Sequence, residues 1–271
     1  MSAGDLCGDP YPKRIACLCT EAVEVLYALG EADRIAGISG FTVRPPEARR
    51  DKPKISGFST GKLERILAVE PDLVLAFSDL QADMCRDLVR AGVEVHVFNQ
   101  RSIAGILRMI VTTGALVGRA AEAQALVDDL QRGLDDARVR GDARIARHGR
   151  RLRVYFEEWD EPLISGIRWV SELIELAGGE DVFADFATRH SAKERRIEDP
   201  MTVVARAPDI IIGSWCGKKF QPDHLRARHG WAAVPAVAND RLHEIKSALI
   251  LAPGIAALTD GLAALEACLD G

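Results

Sequence analysis

The sequence predicts an α/β protein of two similar lobes, each built on a mainly parallel sheet with helices on both faces. Three observations predict it. Two Pro-Asp pairs each stand before a continuous apolar run, a second pair of segments repeats at nearly the same spacing, and a long charged helical stretch separates the copies.

The first matching segments open the lobes. Arg14-Ile-Ala-Cys-Leu-Cys19 leads into an amphipathic stretch ending Leu26-Tyr-Ala-Leu-Gly30, and Arg153-Val-Tyr-Phe-Glu-Glu158 leads into Glu172-Leu-Ile-Glu-Leu-Ala-Gly178, an offset of 139 (153 − 14). Gly30 and Gly178 stand where helices commonly end in the left-handed conformation. The second matching segments are residues 67–77 and 204–215, with Pro71-Asp72 and Pro208-Asp209 offset by 137 (208 − 71). Proline is poorly tolerated inside a helix and pushes its predecessor toward extended geometry, so each pair marks a helix end. The apolar runs Leu73-Val-Leu-Ala-Phe77 and Ile210-Ile-Ile-Gly213 suit parallel strands covered on both faces. Between the copies, Ser102 to about Arg140 is helix-favouring, with Asp128, Asp129, Asp135 and Asp136 alternating with Leu126, Leu130 and Leu134, the pattern of a solvated helix face. The expected organisation is an N-terminal lobe over residues 1–101, a connecting helix over 102–148 and a C-terminal lobe over 149–271. Doubly wound sheets take ligands at the carboxyl ends of their strands, so the expected site is a cleft between the lobes.

Composition bounds the partners. A net charge of −5 over 271 residues is the wrong sign for nonspecific attraction to nucleic acid or anionic lipid. No run of about 18 apolar residues occurs, so no membrane insertion is expected. The chain opens on polar, turn-like residues (MSAGDLCGDPYPKR) without the apolar core of a leader; the expected location is the cytoplasm, or the periplasm if the natural start lies upstream. Six cysteines (Cys7, Cys17, Cys19, Cys85, Cys216, Cys268) are too sparse for a disulfide scaffold and read as reduced thiols.

Candidate ligand contacts are sought at strand ends. The first lobe offers Cys19, Phe41, Phe58 and Phe77; the second offers Glu158, Trp159, Trp169, Trp215 and Cys216. Aromatic residues make up only 6% of the chain, so their gathering at strand ends signals a broad, largely apolar ligand. Cys17 and Cys19 share a strand face, and with Cys216 they are candidate ligands for a soft metal, the alternative being small buried hydrophobes. No nucleotide is expected. In Gly57-Phe-Ser-Thr-Gly61-Lys62 and Gly213-Ser-Trp-Cys-Gly217-Lys218 the glycines are one residue too close for a phosphate loop, and no hydroxyl follows the lysine. An enzyme on the same frame, a metal chelatase or cofactor-modifying catalyst, would draw on Cys17, Cys19, Cys216, Glu157 and Glu158. No nucleophile–base pair marks one, so a non-catalytic binder is the leading reading.

Several stretches together resemble the helical-backbone substrate-binding proteins of ABC importers: Thr20-Glu-Ala-Val-Glu-Val-Leu-Tyr-Ala-Leu-Gly30, Ile38-Ser-Gly-Phe-Thr-Val-Arg-Pro45-Pro46, Leu63-Glu64-Arg65-Ile66, Glu70-Pro71-Asp72-Leu-Val, and Glu-Leu-Ile-Glu-Leu-Ala-Gly-Gly179. Within that family the chain is most similar to cobalamin binders, with siderophore and haem binders as relatives. The resemblance implies two Rossmann-like lobes, a rigid joining helix, and cobalamin or another corrinoid or metal chelate as the ligand. It places pocket aromatics at Phe41, Phe58 and Phe77, and Leu163 where the family has a ring, with Trp159, Trp169 and Trp215 nearby. It implies docking to an ABC permease through Glu64. The second docking carboxylate falls on Met201, with Glu198 as a stand-in, and that loss of a symmetrical charge contact favours an intracellular binder derived from the importer family.

Overall fold

The structure, a computed structural model, describes residues 10–271; Cys7 lies outside the described residues. The chain divides into two compact units, residues 1–100 with 104–128, and residues 101–103 with 129–271.

The first unit carries β1 (Ile15–Cys17), α1 (Thr20–Ala28), β2 (Ile35–Ser39), α2 (Pro46–Asp51), β3 (Lys54–Ser56), α3 (Leu63–Leu67), β4 (Leu73–Phe77), α4 (Ala82–Arg90) and β5 (Glu94–Phe98). Its sheet runs β3-β2-β1-β4-β5 with every pairing parallel, the doubly wound order. The central strands are apolar on both faces because both faces are covered: Ile15, Ala16, Cys17, Val74, Leu75 and Ala76 have no exposed surface. Residues 102–148, expected as one connecting helix, hold two, α5 (Ile103–Leu116) and α6 (Ala120–His148). They part where Gly118 takes φ +75°. The 29-residue α6 contributes its first turns to one unit and the remainder to the other.

The second unit carries β6 (Leu152–Asp160), β7 (Leu163–Ser165), α7 (Arg168–Leu176), β8 (Gly179–Asp181), α8 (Ala184–Ala187), α9 (Met201–Arg206), β9 (Ile210–Gly213), α10 (Pro222–Arg226), α11 (Pro235–Ala238), β10 (Leu242–Glu244), α12 (Ser247–Ile250) and α13 (Leu262–Asp270). Strand β6 is its axis, with β9 and then β10 parallel on one side and β7 on the other, while β8 pairs with its first residues. Only β7 is antiparallel.

The internal repeat is a structural one. In each unit the strand after Pro-Asp pairs in parallel with the strand that opens the lobe, β4 on β1 and β9 on β6. The aspartate ties the pair at its start. Asp72 donates its own N–H to Arg14 O (3.0 Å) while its carboxylate accepts from Lys13 N (2.7 Å) and Arg14 N (3.0 Å). Asp209 likewise donates to Arg153 O (2.8 Å) and accepts from Arg153 N (2.8 Å), with Arg150 closing on its carboxylate. Burial pushes the Asp209 carboxyl up, but the hydrogen bonds and charges of Arg150 and Arg153 outweigh it and hold the group below its ordinary value. Gly30 and Gly178 adopt φ +75° and +87°, the left-handed helix stops the sequence predicts.

Asp209→Ala leaves the Arg153 N–H without its acceptor at a half-buried site, and is expected to lower unfolding free energy by about 1–3 kcal/mol in urea titrations. Asp72→Ala, at an exposed pairing where water replaces the lost acceptor, is expected to cost less, about 0.5–1.5 kcal/mol, with far-UV dichroism unchanged for both.

Candidate functional site

In the first unit the strand order reverses between β1 and β4, and the loops leaving their carboxyl ends diverge. A hollow opens there, walled by Leu18 to Glu21 after β1, Ser39 at the end of β2, Phe58, Phe77 at the end of β4, and Ser78, Leu80 and Gln81 beyond it. Three residues expected from sequence, Cys19, Phe58 and Phe77, line it. Phe41 joins them through an edge-to-face contact with Phe58, ring centroids 6.0 Å apart at 71°. Phe41 and Phe58 are 53% and 50% exposed. Two adjoining half-bare rings at the mouth of a hollow present apolar surface that a bound partner would cover.

Short polar side chains hold this wall. Ser39 Oγ donates to Gly57 O (3.1 Å) and accepts from Phe41 N (3.3 Å), joining the loops that carry the two rings. Gln81 fastens three sides: its Oε1 accepts from Phe77 N (2.9 Å), and its Nε2 donates to Leu18 O (3.1 Å) and Phe58 O (2.6 Å). Ser78 holds φ +61°, an uncommon conformation for a non-glycine residue, fixed by its N–H on Phe98 O (2.7 Å) and its Oγ accepting from Leu80 N (3.3 Å). That bend sets the direction of Phe77. Beneath lies Glu21, 3% exposed, which accepts from Gln100 Nε2 and Thr20 Oγ1 at 3.3 Å each. Burial pushes its carboxyl up to about 7.

The corresponding place in the second unit is occupied by side chains. At the end of β6, Glu157 has no exposed surface and accepts two bonds from Arg228 (2.6 and 3.0 Å) and one from Trp215 Nε1 (3.1 Å). Burial pushes the Glu157 carboxyl up, and Arg228 opposes that shift. Glu158 is bidentate with the buried Arg195 (2.6 and 3.1 Å). Asp160 pairs with Lys218 (2.6 Å), whose ammonium lies 5.0 Å from the Trp215 ring and 5.7 Å from that of Trp159.

Several expectations are corrected here. Trp215 is 3% exposed and belongs to the apolar core with Phe220, Tyr155 and Trp231; Gly213 makes room for the Phe220 ring packed on it, which a Cβ there would strike. Trp169 is also 3% exposed. It sits on the inward face of α7 with Val170, Leu173 and Ile174, donating to Ile250 O (2.8 Å). Neither indole presents a face to a ligand. Trp159 is half-buried with its Nε1 on Glu161 O (2.8 Å), Glu158 faces Arg195, and Cys216 is exposed on the following turn. Cys17 and Cys19 are buried. Burial first, then the charge of Glu21, pushes both thiols well up. No group of three His, Cys, Asp or Glu among the described residues is arranged to hold a metal ion. Sequence reasoning missed Glu21, Gln81 and Ser78. Their signal was position, directly after β1 and β4, the two strands on which the sheet order turns.

The fold agrees with comparisons to known proteins. The periplasmic binding protein family matches residues 15–249, and the chain belongs to that family, one of substrate-binding proteins and not of enzymes. Binding of a small molecule, association with an ABC transporter and a periplasmic location are typical of it. The chain is 28% identical over 207 residues to a cobalamin-binding protein of Halobacterium salinarum, covering 75% of this chain and 54% of the relative; it thus spans about half of that relative's length. It is 26% identical over 232 residues to the vitamin B12-binding protein of Vibrio parahaemolyticus, covering 81% and 80%. The solved periplasmic vitamin B12 binding protein of Vibrio cholerae superposes with a TM-score of 0.75 at 22% identity, over 96% of this chain and 97% of that one. That likeness is one of fold.

Two measurements check the electrostatics. Glu21 binds its proton more tightly folded than unfolded, so the folded state holds more protons between pH 4.5 and 7. Stability is therefore expected to fall as pH rises through that window, by about 3 kcal/mol in all, and Glu21→Gln is expected to flatten this part of the urea-midpoint profile. Arg228→Met strands a buried carboxylate and is expected to cost about 3–5 kcal/mol, most of it recovered in the Glu157→Gln/Arg228→Met pair.

Proposed function

We propose that the chain is a non-catalytic binding protein for a corrinoid of the cobalamin type or a similarly large metal chelate. The observation that carries this reading is the ring-lined hollow at the β1/β4 reversal, with Phe41 and Phe58 half bare at its mouth. The hollow has room for about 20 Å³, little more than a water molecule, and is too small to enclose a molecule of that size, so the ligand lies across its mouth with an apolar face on the rings. The kinship to proteins named for cobalamin and vitamin B12 supports the choice of ligand. Functionally, residues 1–101 form the lobe bearing this surface, 102–148 the connector and 149–271 the second lobe. The alternative enzyme finds no support, since Cys17 and Cys19 are buried as thiols and Glu157 and Glu158 are engaged by arginines.

An ABC permease is the partner of this reading, met through Glu64, which is exposed in the first turn of α3. Met201, 41% exposed at the start of α9, offers a thioether where the second docking carboxylate falls, and the exposed Glu198 lies three residues before it. The periplasm, typical of the family, is the location of this reading, in place of the intracellular one that the carboxylate missing at Met201 favours.

Titration with cyanocobalamin followed by absorbance, with haem in parallel, tests the ligand. Phe41→Ala, Phe58→Ala and Phe77→Ala are each expected to weaken binding by about 1–3 kcal/mol at unchanged stability. Trp215→Ala is expected to lower stability by about 3–5 kcal/mol, not affinity in the folded fraction. Saturable binding indifferent to all three phenylalanines overturns the site.

A further inference from the structure

A second groove lies on the first unit, beside the edge strand β3. After β3 the chain doubles back so that Ser56 and Gly61 bridge antiparallel and Gly57 N donates to Thr60 O (2.6 Å). The groove flanking this turn has about 600 Å³ of empty space, is open to solvent, and is lined by Ser56, Thr60, Lys62 and Arg65 with bare backbone at Gly57 and Gly61. The spacing of those glycines and Lys62 excludes a nucleotide phosphate loop with its magnesium-binding hydroxyl, but the donors it gathers remain.

Their arrangement is unusual within this chain. Most arginines of the described residues are held by a carboxylate or a carbonyl, Arg14, Arg119, Arg140, Arg144, Arg150, Arg195, Arg206 and Arg228 among them. Lys62 and Arg65 have no ion-pair partner among the described residues, and no acid lines the groove; Glu64, between them in sequence, is not part of the lining. The space a Cβ would take at Gly57 lies 2.8 Å from Thr60 Oγ1, so glycine there keeps the exposed Thr60 hydroxyl clear. Two cations, the Thr60 hydroxyl and no counter-charge supply donors on several sides, which a tetrahedral oxyanion with several acceptor oxygens satisfies together. We infer that this groove binds a phosphate group, either free phosphate and its soluble esters or the phosphate of an anionic lipid headgroup. The inference is independent of the corrinoid reading, as the groove shares none of the residues that line the hollow.

The test uses the full chain at low ionic strength with two probes, inorganic phosphate by equilibrium dialysis and vesicles of phosphatidylcholine with or without phosphatidylglycerol by co-sedimentation. Two variants accompany the parent, Lys62→Gln/Arg65→Gln and Thr60→Val, with cyanocobalamin titration and urea midpoints as controls for the other site and the fold. Saturable phosphate binding, weakened about tenfold or more in both variants, is the expected result and assigns a free anion. Binding only to the anionic vesicles, weakened in both variants, assigns the lipid headgroup. Simple attraction to two surface cations does not need the hydroxyl, so binding that survives Thr60→Val overturns the inference, as does the failure of both probes to bind.

Discussion

Each unit depends on one carboxylate that fastens two parallel strands at their start. Parallel neighbours cannot be joined by a tight turn, so their register must be set across a long crossover. Asp72 and Asp209 set it by accepting N–H groups of the partner strand while their own N–H groups enter the ladder. The proline before each aspartate ends the preceding helix and cannot extend it into the strand. With β4 fixed on β1 and β9 on β6, the remaining strands add outward and the direction of winding reverses at a known place in both units.

That reversal has been put to different uses in the two halves of the repeat. In the first unit it is open, and Gln81, Ser39 and the bent Ser78 hold three loops apart by hydrogen bonds to backbone. In the second it is filled by Trp215 and by Glu157 locked to Arg228, with Asp160 and Lys218 above. A buried ion pair stabilises little by itself but fixes geometry, because breaking it strands a charge. The second unit therefore has a rigid, polar-cored strand end, and the first a rim of exposed rings whose apolar surface is uncovered.

The sites legible in the sequence were those where one residue type has one physical reading. Phe77 ends the strand that the Pro-Asp rule locates, Phe41 and Phe58 come just after β2 and β3, and Phe58 and Phe77 line the hollow with Phe41 against Phe58. Trp169 and Trp215 carried the same signal and face inward, because an indole satisfies its N–H as readily on a buried carbonyl or carboxylate as on a ligand. Cys17 and Cys19 were ambiguous for a similar reason, a thiol being both a soft ligand and a small hydrophobe, and their complete or near-complete burial favours the second reading. Glu21 itself looked like an ordinary first-turn acid until the fold covered it.

The sequence by itself determined the α/β class, the duplication, the helix stops at Gly30 and Gly178 and the parallel strands after Pro-Asp. Each of these follows from local backbone preference or from the period of apolar residues. Only the tertiary structure decided which strand-end side chains face solvent, which carboxylates meet arginines, and that Ser56, Thr60, Lys62 and Arg65 border one groove. Such properties arise from residues distant in sequence, and their physical cause, the loss or retention of water around a particular group, does not exist until the chain has folded around it.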